Sequence, residues 1–434
     1  MNKIINFFVI LFLISGCSFN KNSKFWTNEE KSRYENNARY DEVFPTDEAL
    51  KEEFNSNLKI RLSSTISNNT TTNNFLNNSS RINFTSNLEK SSSFKFSKIN
   101  NFNQYQPEVS FFDNNIIFFD NKGSILNFDD QSKLVWKKNN YSKSEKKLNP
   151  ILQLVNNKKY LIVADNITKY YMMDIQSGEI IWSKNNLAPF NSQIKIYKDK
   201  FFVIDFSNTL RCFSVKDGKE LWNIPTENSL IRSQKKLSIL IIDNKLYFNN
   251  SIGDISSVDI NKGELIWQLP TQSSLIYESA FSLQSSELIS DGKSLFFSNN
   301  QNEFFSIDAN TGTLNWKNKI NSNINSVLMD NILMSISMEG YLIITEKKSG
   351  NIVRVTDVFQ NFKLKKRKEI YPVGFIMGLD KIYLSTSNGR LLIIDIVTGK
   401  TISTLKITNK KISKPFVQNN NLFLIKDNAI IKFN

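Results

Sequence analysis

The feature that most constrains this chain is a recurrence of tryptophan. Trp136, Trp182, Trp222, Trp267 and Trp316 follow one another at intervals of 46, 40, 45 and 49 residues. A period in the forties marks a repeat architecture, in which each copy is one supersecondary unit that buries its apolar face only against its neighbours. The strings that end in these tryptophans are related: DIQSGEIIW at 174–182, SVKDGKELW at 214–222, DINKGELIW at 259–267 and DANTGTLNW at 308–316. Four residues before each Trp stand Ser132, Gly178, Gly218, Gly263 and Gly312. Gly350 and Gly399 mark two further copies, in which Arg354 and Ser403 replace the Trp, so the array holds seven copies.

Each copy has one internal grammar. In the second, LQLV (152–155), KYLIVA (159–164), TKYYMMD (168–174) and EIIWS (179–183) are β-prone runs separated by turn-forming clusters. Four short strands at this period form an antiparallel meander, the blade of a β-propeller. After the seventh copy, about 414–418, 421–425 and 428–433 supply three more strands and the chain ends. A strand from before the first copy, SFKFSKI at 93–99, is the candidate to complete that last sheet and close the ring. The fold class is therefore all-β, an eight-bladed β-propeller of four-stranded antiparallel blades closed by an N-terminal strand. Seven blades is the alternative if the last strands pack elsewhere.

The recurring string reads as architecture. Glycine accepts a left-handed backbone without a Cβ clash, and Asp bonds nearby backbone N–H groups. The Asp is present at 174, 259, 308 and 395 but is replaced by Ser214 and Glu346 elsewhere, a looseness that suits a turn bracket better than a catalytic group. The Trp falls on the outermost strand, where it faces the next blade, and its N–H reaches a turn carbonyl there. Trp136, Trp182, Trp222, Trp267 and Trp316 with Gly178, Gly218, Gly263 and Gly312 are accordingly read as structural blade anchors.

Composition narrows the function. The chain has 434 residues and no histidine, which removes the commonest general base and metal ligand. The two cysteines are Cys17 and Cys212, so no cysteine cluster binds a metal; no catalytic residue, metal site or cofactor is expected. The formal charge of +14 is spread over Lys- and Asn-rich loops, which argues for solvated surface over a nucleic-acid site. Its densest point is Lys363, Lys365, Lys366, Arg367 and Lys368, in a stretch that reads as a loop.

The N-terminus reads as an address. MNKIINFFVILFLISGC places Lys3 before an apolar run of about 11 residues, too short to span a bilayer and suited to a signal peptide. ISGC resembles a bacterial lipobox, which makes 1–16 the signal peptide and Cys17 the acylated first residue of the mature chain. Several acyl chains at about 0.8 kcal/mol per buried CH₂ hold such a protein firmly on a membrane. Ser18 rather than Asp follows, a pattern associated with sorting to the outer membrane. Residues 17–90 contain SNNTTTNNFLNNSS and read as a low-complexity tether with short helices over about 27–55; the propeller is assigned to 91–434. Cys212, in the alternating stretch TLRCFSV, reads as a buried free thiol.

Asp-x-x-x-Gly-x-x-x-Trp resembles the tryptophan-docking repeat of the quinoprotein (PQQ) dehydrogenases, over about 107–434. That resemblance is specific for the fold. The enzymes' adjacent cysteines are absent here, and no loop insertion carries clustered acids. Length, lipobox and a single repeat domain together are similar to the BamB family, lipoproteins of the β-barrel assembly machinery of Gram-negative outer membranes. The resemblance implies a non-enzymatic scaffold, lipid-anchored at the periplasmic face of the outer membrane. It implies docking on the POTRA domains of BamA, beside the other assembly-machinery subunits, with no nucleic acid and no small-molecule substrate. The family docks through apolar residues beside an Arg, helped by acids on the next blade's loop. Leu230, Ile231 and Arg232 in TENSLIRSQKK match the first element; Glu278 is the nearest acid to the second, a poorer match. The alternatives are a PQQ-dependent dehydrogenase, or a lipoprotein propeller that binds another envelope protein or a polysaccharide.

Overall fold

Four-stranded antiparallel sheets recur eight times along the chain. The computed structural model describes residues 66–71, 74–77, 79–104, 107–227, 235–271 and 283–434. Blades 1 to 7 span 110–139, 152–185, 195–225, 239–269, 289–318, 327–357 and 372–406, each a meander whose first strand is innermost. Blade 8 is built from both ends of the described chain: Phe416–Gln418, Asn421–Lys426 and Ala429–Phe433 are completed on the outside by Lys90–Lys95. The closing strand thus lies a little N-terminal of the expected 93–99, and Phe94 pairs with Ile430.

The two middle strands of each blade are apolar along almost their whole length, as in YLIVAD and RLLIID, and both are buried nearly throughout. Neighbouring blades cover both faces of these strands, so continuous apolar runs replace alternation. The resulting cores lie between blades. One joins Ile162, Tyr170, Phe201 and Phe213 of blades 2 and 3, and another joins Leu342, Ile344, Phe375 and Leu384 of blades 6 and 7.

Every outermost strand of blades 1 to 7 carries a β-bulge next to the Trp position. In blade 2, Met172 pairs with Trp182 while Met173 pairs with Ile180, which leaves Ile181 as the extra residue. The same slip isolates Val135, Leu221, Ile266, Asn315, Val353 and Ile402. An extra residue turns two consecutive side chains outward and re-aims the next one inward. Hence Ile180 and Ile181 are exposed, while Trp182 packs in the core between blades 2 and 3.

The N-terminal polar tract is not all tether. From residue 66 it is part of the ring. Ile66–Ser67 pairs with Arg81–Ile82, and the chain between them enters the axial channel as a loop, called here the strap. Thr70 N donates to Val417 O of blade 8 at 2.8 Å, Leu328 N of blade 6 donates to Ser79 O at 2.8 Å, and Leu379 N of blade 7 donates to Phe84 O at 3.0 Å. The expected boundary at residue 90 therefore does not mark where order begins. Innermost strands present unpaired backbone groups to the channel, and the strap's Asn, Thr and Ser residues supply partners for them. The short helices expected at 27–55 lie outside the described residues.

Candidate functional site

Strand alternation gives the ring two unlike faces. The connections between blades all leave from one face, called here the connection face; the first-to-second and third-to-fourth strand turns lie on the other, the turn face. The Asp-x-x-x-Gly string forms third-to-fourth strand turns. In blade 2, Asp174 Oδ1 accepts from Ser177 N at 2.8 Å and Ser177 Oγ at 2.9 Å, and Gly178 N returns to Asp174 O at 2.9 Å. The Ser177 N–H bond, aided by its hydroxyl, holds the Asp174 carboxyl below the usual range; Lys262 N and Thr311 N lead the same effect at Asp259 and Asp308. A carboxylate committed to its own turn is a poor catalytic group.

Each Trp lies against the next blade's turn glycine. A β-carbon on Gly178, Gly218, Gly263, Gly312 or Gly350 would stand 3.0, 2.7, 2.6, 2.6 or 2.7 Å from Trp136, Trp182, Trp222, Trp267 or Trp316 respectively. Three indoles also donate across the blade boundary: Trp182 Nε1 to Val215 O at 2.9 Å, Trp267 Nε1 to Ala309 O at 3.1 Å and Trp316 Nε1 to Lys347 O at 2.7 Å. Trp136 and Trp222 make the packing contact without an acceptor among the described residues. In blade 6 Arg354 stands at the Trp position, donating to Val397 O and Thr398 O of blade 7. Ser132, at the glycine position of blade 1, takes the left-handed backbone with φ 65°.

The axial channel holds a cavity of about 2010 Å³ that opens among the starts of the innermost strands. Four charged side chains meet there. Lys236 Nζ lies 3.0 Å from Glu108 Oε2, Lys414 Nζ lies 3.1 Å from Glu108 Oε1, and Lys414 Nζ lies 3.3 Å from Glu287 Oε1. Each residue sits two or three positions before the innermost strand of its blade, and the blades are 4, 1, 8 and 5. Blades 4 and 8 face each other across an eight-membered ring, as do blades 1 and 5. The ion-pair chain therefore spans the axis. Burial pushes the Glu108 carboxyl up, but Lys236 and Lys414 together outweigh it and hold it well below its usual range. Burial likewise lowers Lys414, yet Glu287 and Glu108 keep it above the usual lysine range.

Three further lysines line this region. Lys195 Nζ donates to Asn74 O at 2.5 Å and Asn77 Oδ1 at 2.6 Å of the strap. Lys235 Nζ donates to Asn323 O, and Lys411 Nζ to Asn103 O at 3.0 Å. Burial lowers Lys195 and Lys235 to about 7 and Lys411 to about 8. Sequence reasoning missed this cluster. Its only trace is a charge shortly before the innermost strand of four blades, visible once the strand starts are known.

Cys17, Leu230, Ile231, Arg232 and Glu278 lie outside the described residues. The connections that carry the last four run between blades 3 and 4 and between blades 4 and 5, hence from the connection face. Their flanks, Lys235 and Gln284, line the mouth of the axial cavity. Cys212 is buried, and burial pushes its thiol up to about 12. The basic stretch at 363–368, expected as a loop, contains a one-turn helix at Leu364–Arg367. Among the described residues, no three His, Cys, Asp or Glu side chains cluster as a metal site.

A ring of eight blades, stitched by indole-on-glycine contacts, defines the class: a propeller of PQQ-like repeats. A family profile described as outer membrane protein assembly factor BamB matches residues 121–356, just over half of the chain, and the chain belongs to that family. No curated protein matches the sequence at a significant level. Among solved structures the fold is similar to that of BamB from Moraxella catarrhalis, with a TM-score of 0.64 and 14% identity over 80% of this chain and 99% of that one. It is similar to the computationally designed protein Ika8, with a TM-score of 0.59 and 12% identity over 78% of this chain and 99% of the other. It also resembles the quinohemoprotein alcohol dehydrogenase ADHIIG from Pseudomonas putida HK5, with a TM-score of 0.56 and 11% identity over 81% of this chain and 76% of the enzyme. At such identities these likenesses establish the fold alone.

Proposed function

We propose that this protein is a non-enzymatic scaffold lipoprotein of the β-barrel assembly machinery. It is anchored to the periplasmic face of the outer membrane through acylated Cys17, and its connection face docks on the POTRA domains of BamA. The observation that carries the reading is membership of the BamB family over 121–356. Leu230, Ile231 and Arg232 contribute an apolar–Arg hot spot, a residue mix favoured at docking sites, and Glu278 an acidic contact from the next connection. The test is copurification with BamA from detergent-solubilised envelopes. Arg232→Glu should weaken the complex at least tenfold; undiminished binding removes Arg232 from the interface, and no BamA association sinks the function.

A second reading, a PQQ-dependent dehydrogenase, is favoured by the likeness to the alcohol dehydrogenase. The residues on the axis do not fit a cofactor held with a metal ion. Glu108 and Glu287, the two glutamates beside the axial cavity, are engaged by Lys236 and Lys414, and the third carboxylate of its lining, Asp113, lies in the first-to-second strand turn of blade 1. Titration of the protein with PQQ and Ca²⁺, followed by absorbance, separates the readings. Tight stoichiometric binding would favour the enzyme.

A further inference from the structure

The three most exposed large apolar side chains among the described residues are Leu187, Leu364 and Leu148, at 95%, 79% and 61%. All three lie in connections between blades: Leu148 between blades 1 and 2, Leu187 between blades 2 and 3, and Leu364 between blades 6 and 7. They therefore share the connection face. The last two connections stand four blades apart in a ring of eight, on opposite sides of the axis. Three apolar tips spread across one face in this way suit contact with a plane better than insertion into a local groove.

Their surroundings are basic. Leu148 ends a short helix with Lys143, Lys146 and Lys147, and Leu364 is set among Lys363, Lys365, Lys366 and Lys368. None of these seven lysines forms an ion pair among the described residues. The neighbouring acids are mostly committed elsewhere: Glu145 to Lys169 at 2.7 Å and to the cap at Ser142, and Asp357 to Arg367 at 2.8 Å. Glu369 is the one exposed carboxylate at the second cluster. An exposed leucine ringed by lysines is the chemistry of an interfacial anchor: the apolar tip enters the headgroup boundary while the ammonium groups meet anionic lipid.

We propose that the connection face is a docking surface for an anionic lipid bilayer, with Leu148, Leu187 and Leu364 as its apolar tips and the seven flanking lysines as its charge. The argument is independent of the partner-docking loops, and its test contains no BamA, so failure of either reading leaves the other standing. The two dockings use one face, so a single molecule engages the bilayer and BamA in turn.

The test is cosedimentation of the mature chain, residues 17–434 with Cys17→Ser, which lacks both the apolar signal segment and the acyl anchor. The vesicles are phosphatidylcholine with or without about one third phosphatidylglycerol. The protein should bind the anionic vesicles and be released by salt. Leu187→Asp with Leu364→Asp should lower partitioning by about tenfold or more. Lys363→Gln, Lys365→Gln and Lys366→Gln together should remove much of the preference for phosphatidylglycerol. Val397→Asp, at a residue 57% exposed on the turn face, is the control and should change nothing. The proposal is overturned if anionic vesicles are ignored at low salt, as a face built for a protein partner would ignore them. It is also overturned if the leucine variants sediment like the parent, or if the control loses as much.

Discussion

Lys195 and Asn77 stand 118 residues apart in the chain, yet Lys195 Nζ donates to Asn77 Oδ1 at 2.6 Å. The same ammonium donates to Asn74 O at 2.5 Å and Asn74 Oδ1 at 3.1 Å, while Asn77 Nδ2 reaches Leu288 O at 2.7 Å, Ser238 Oγ and Ile239 O. One lysine on blade 3 thus holds a loop that is also tied to blades 4 and 5. Lys195→Ala should release that hold. Breaking charge-assisted hydrogen bonds of this kind costs about 1.5–3 kcal/mol each at most, and the strap has other ties. We expect amide protection at residues 74–77 to fall about tenfold or more in hydrogen exchange, while the middle strands of the blades stay protected. Unchanged protection at 74–77 would show that the strap is held without Lys195.

Lys195 also makes stability depend on pH. It is 1% exposed, and burial lowers it to about 7, with Glu287 and Glu108 only partly offsetting the cost. The unfolded chain binds its proton up to about 10.4. Between these values the unfolded state carries more protons than the folded one, so stability from this group rises with pH and is flat below about 7. Urea unfolding should show an increment on the order of 1–2 kcal/mol between pH 7 and pH 9 that Lys195→Met lacks. Glu108 acts at the other end. Its lowered carboxyl contributes stability above the unfolded carboxylate range that is lost as pH falls through its folded value. Equal slopes for parent and Lys195→Met from pH 7 to 9 would contradict the assignment.

Gly263 and Gly292 separate backbone strain from packing. Both adopt left-handed backbone, with φ of 71° and 92°, but a β-carbon on Gly263 would meet Trp222 at 2.6 Å, whereas nothing lies within 4 Å of that on Gly292. Gly292→Ala should therefore cost only the backbone term, about 1–2 kcal/mol. Gly263→Ala adds a steric conflict with a large ring, and overpacking costs about 1–3 kcal/mol more. Chemical denaturation of the two variants checks this. Equal losses would mean that the indole moves aside freely and that the Trp–Gly contact does not stitch the blades.

The sequence made the ring legible because its repeat is periodic at two levels. The Trp-and-Gly spacing marked seven sheets, and the apolar runs at 414–433 marked the eighth. The bulges at Ile181 and its counterparts were not legible, since one extra residue before a Trp leaves no compositional trace; it emerges only from the cross-strand register. The order of the strap was not legible either, for a physical reason. A tract of Asn, Thr and Ser buries too little apolar surface to order itself, but here the innermost strands offer it backbone partners. Thr70 takes Val417 O, and Asn77 takes Leu288 O. The axial ion pairs were hidden because Glu108, Lys236, Glu287 and Lys414 are far apart in sequence and meet only when opposite blades face each other.

Ring closure rests on Phe94. This residue is fully buried in the outermost strand of blade 8, 5.8 Å from Phe128 of blade 1 and 6.4 Å from Phe423 of its own blade, centroid to centroid. The strand that carries it is the only part of blade 8 drawn from the N-terminal side of the array. If it detaches, the last sheet loses its outer edge and the contact with blade 1 opens. Phe94→Ala removes a buried ring at a site walled by two sheets, so collapse around the cavity is restricted, and the expected loss is about 3–5 kcal/mol. Leu134→Ala, at a side chain 45% exposed on the outermost strand of blade 1, should cost much less. Equilibrium unfolding followed by tryptophan fluorescence is the measurement, because five indoles sit at blade boundaries and report their opening. A loss below about 1 kcal/mol for Phe94→Ala would show that the ring holds without its closing strand.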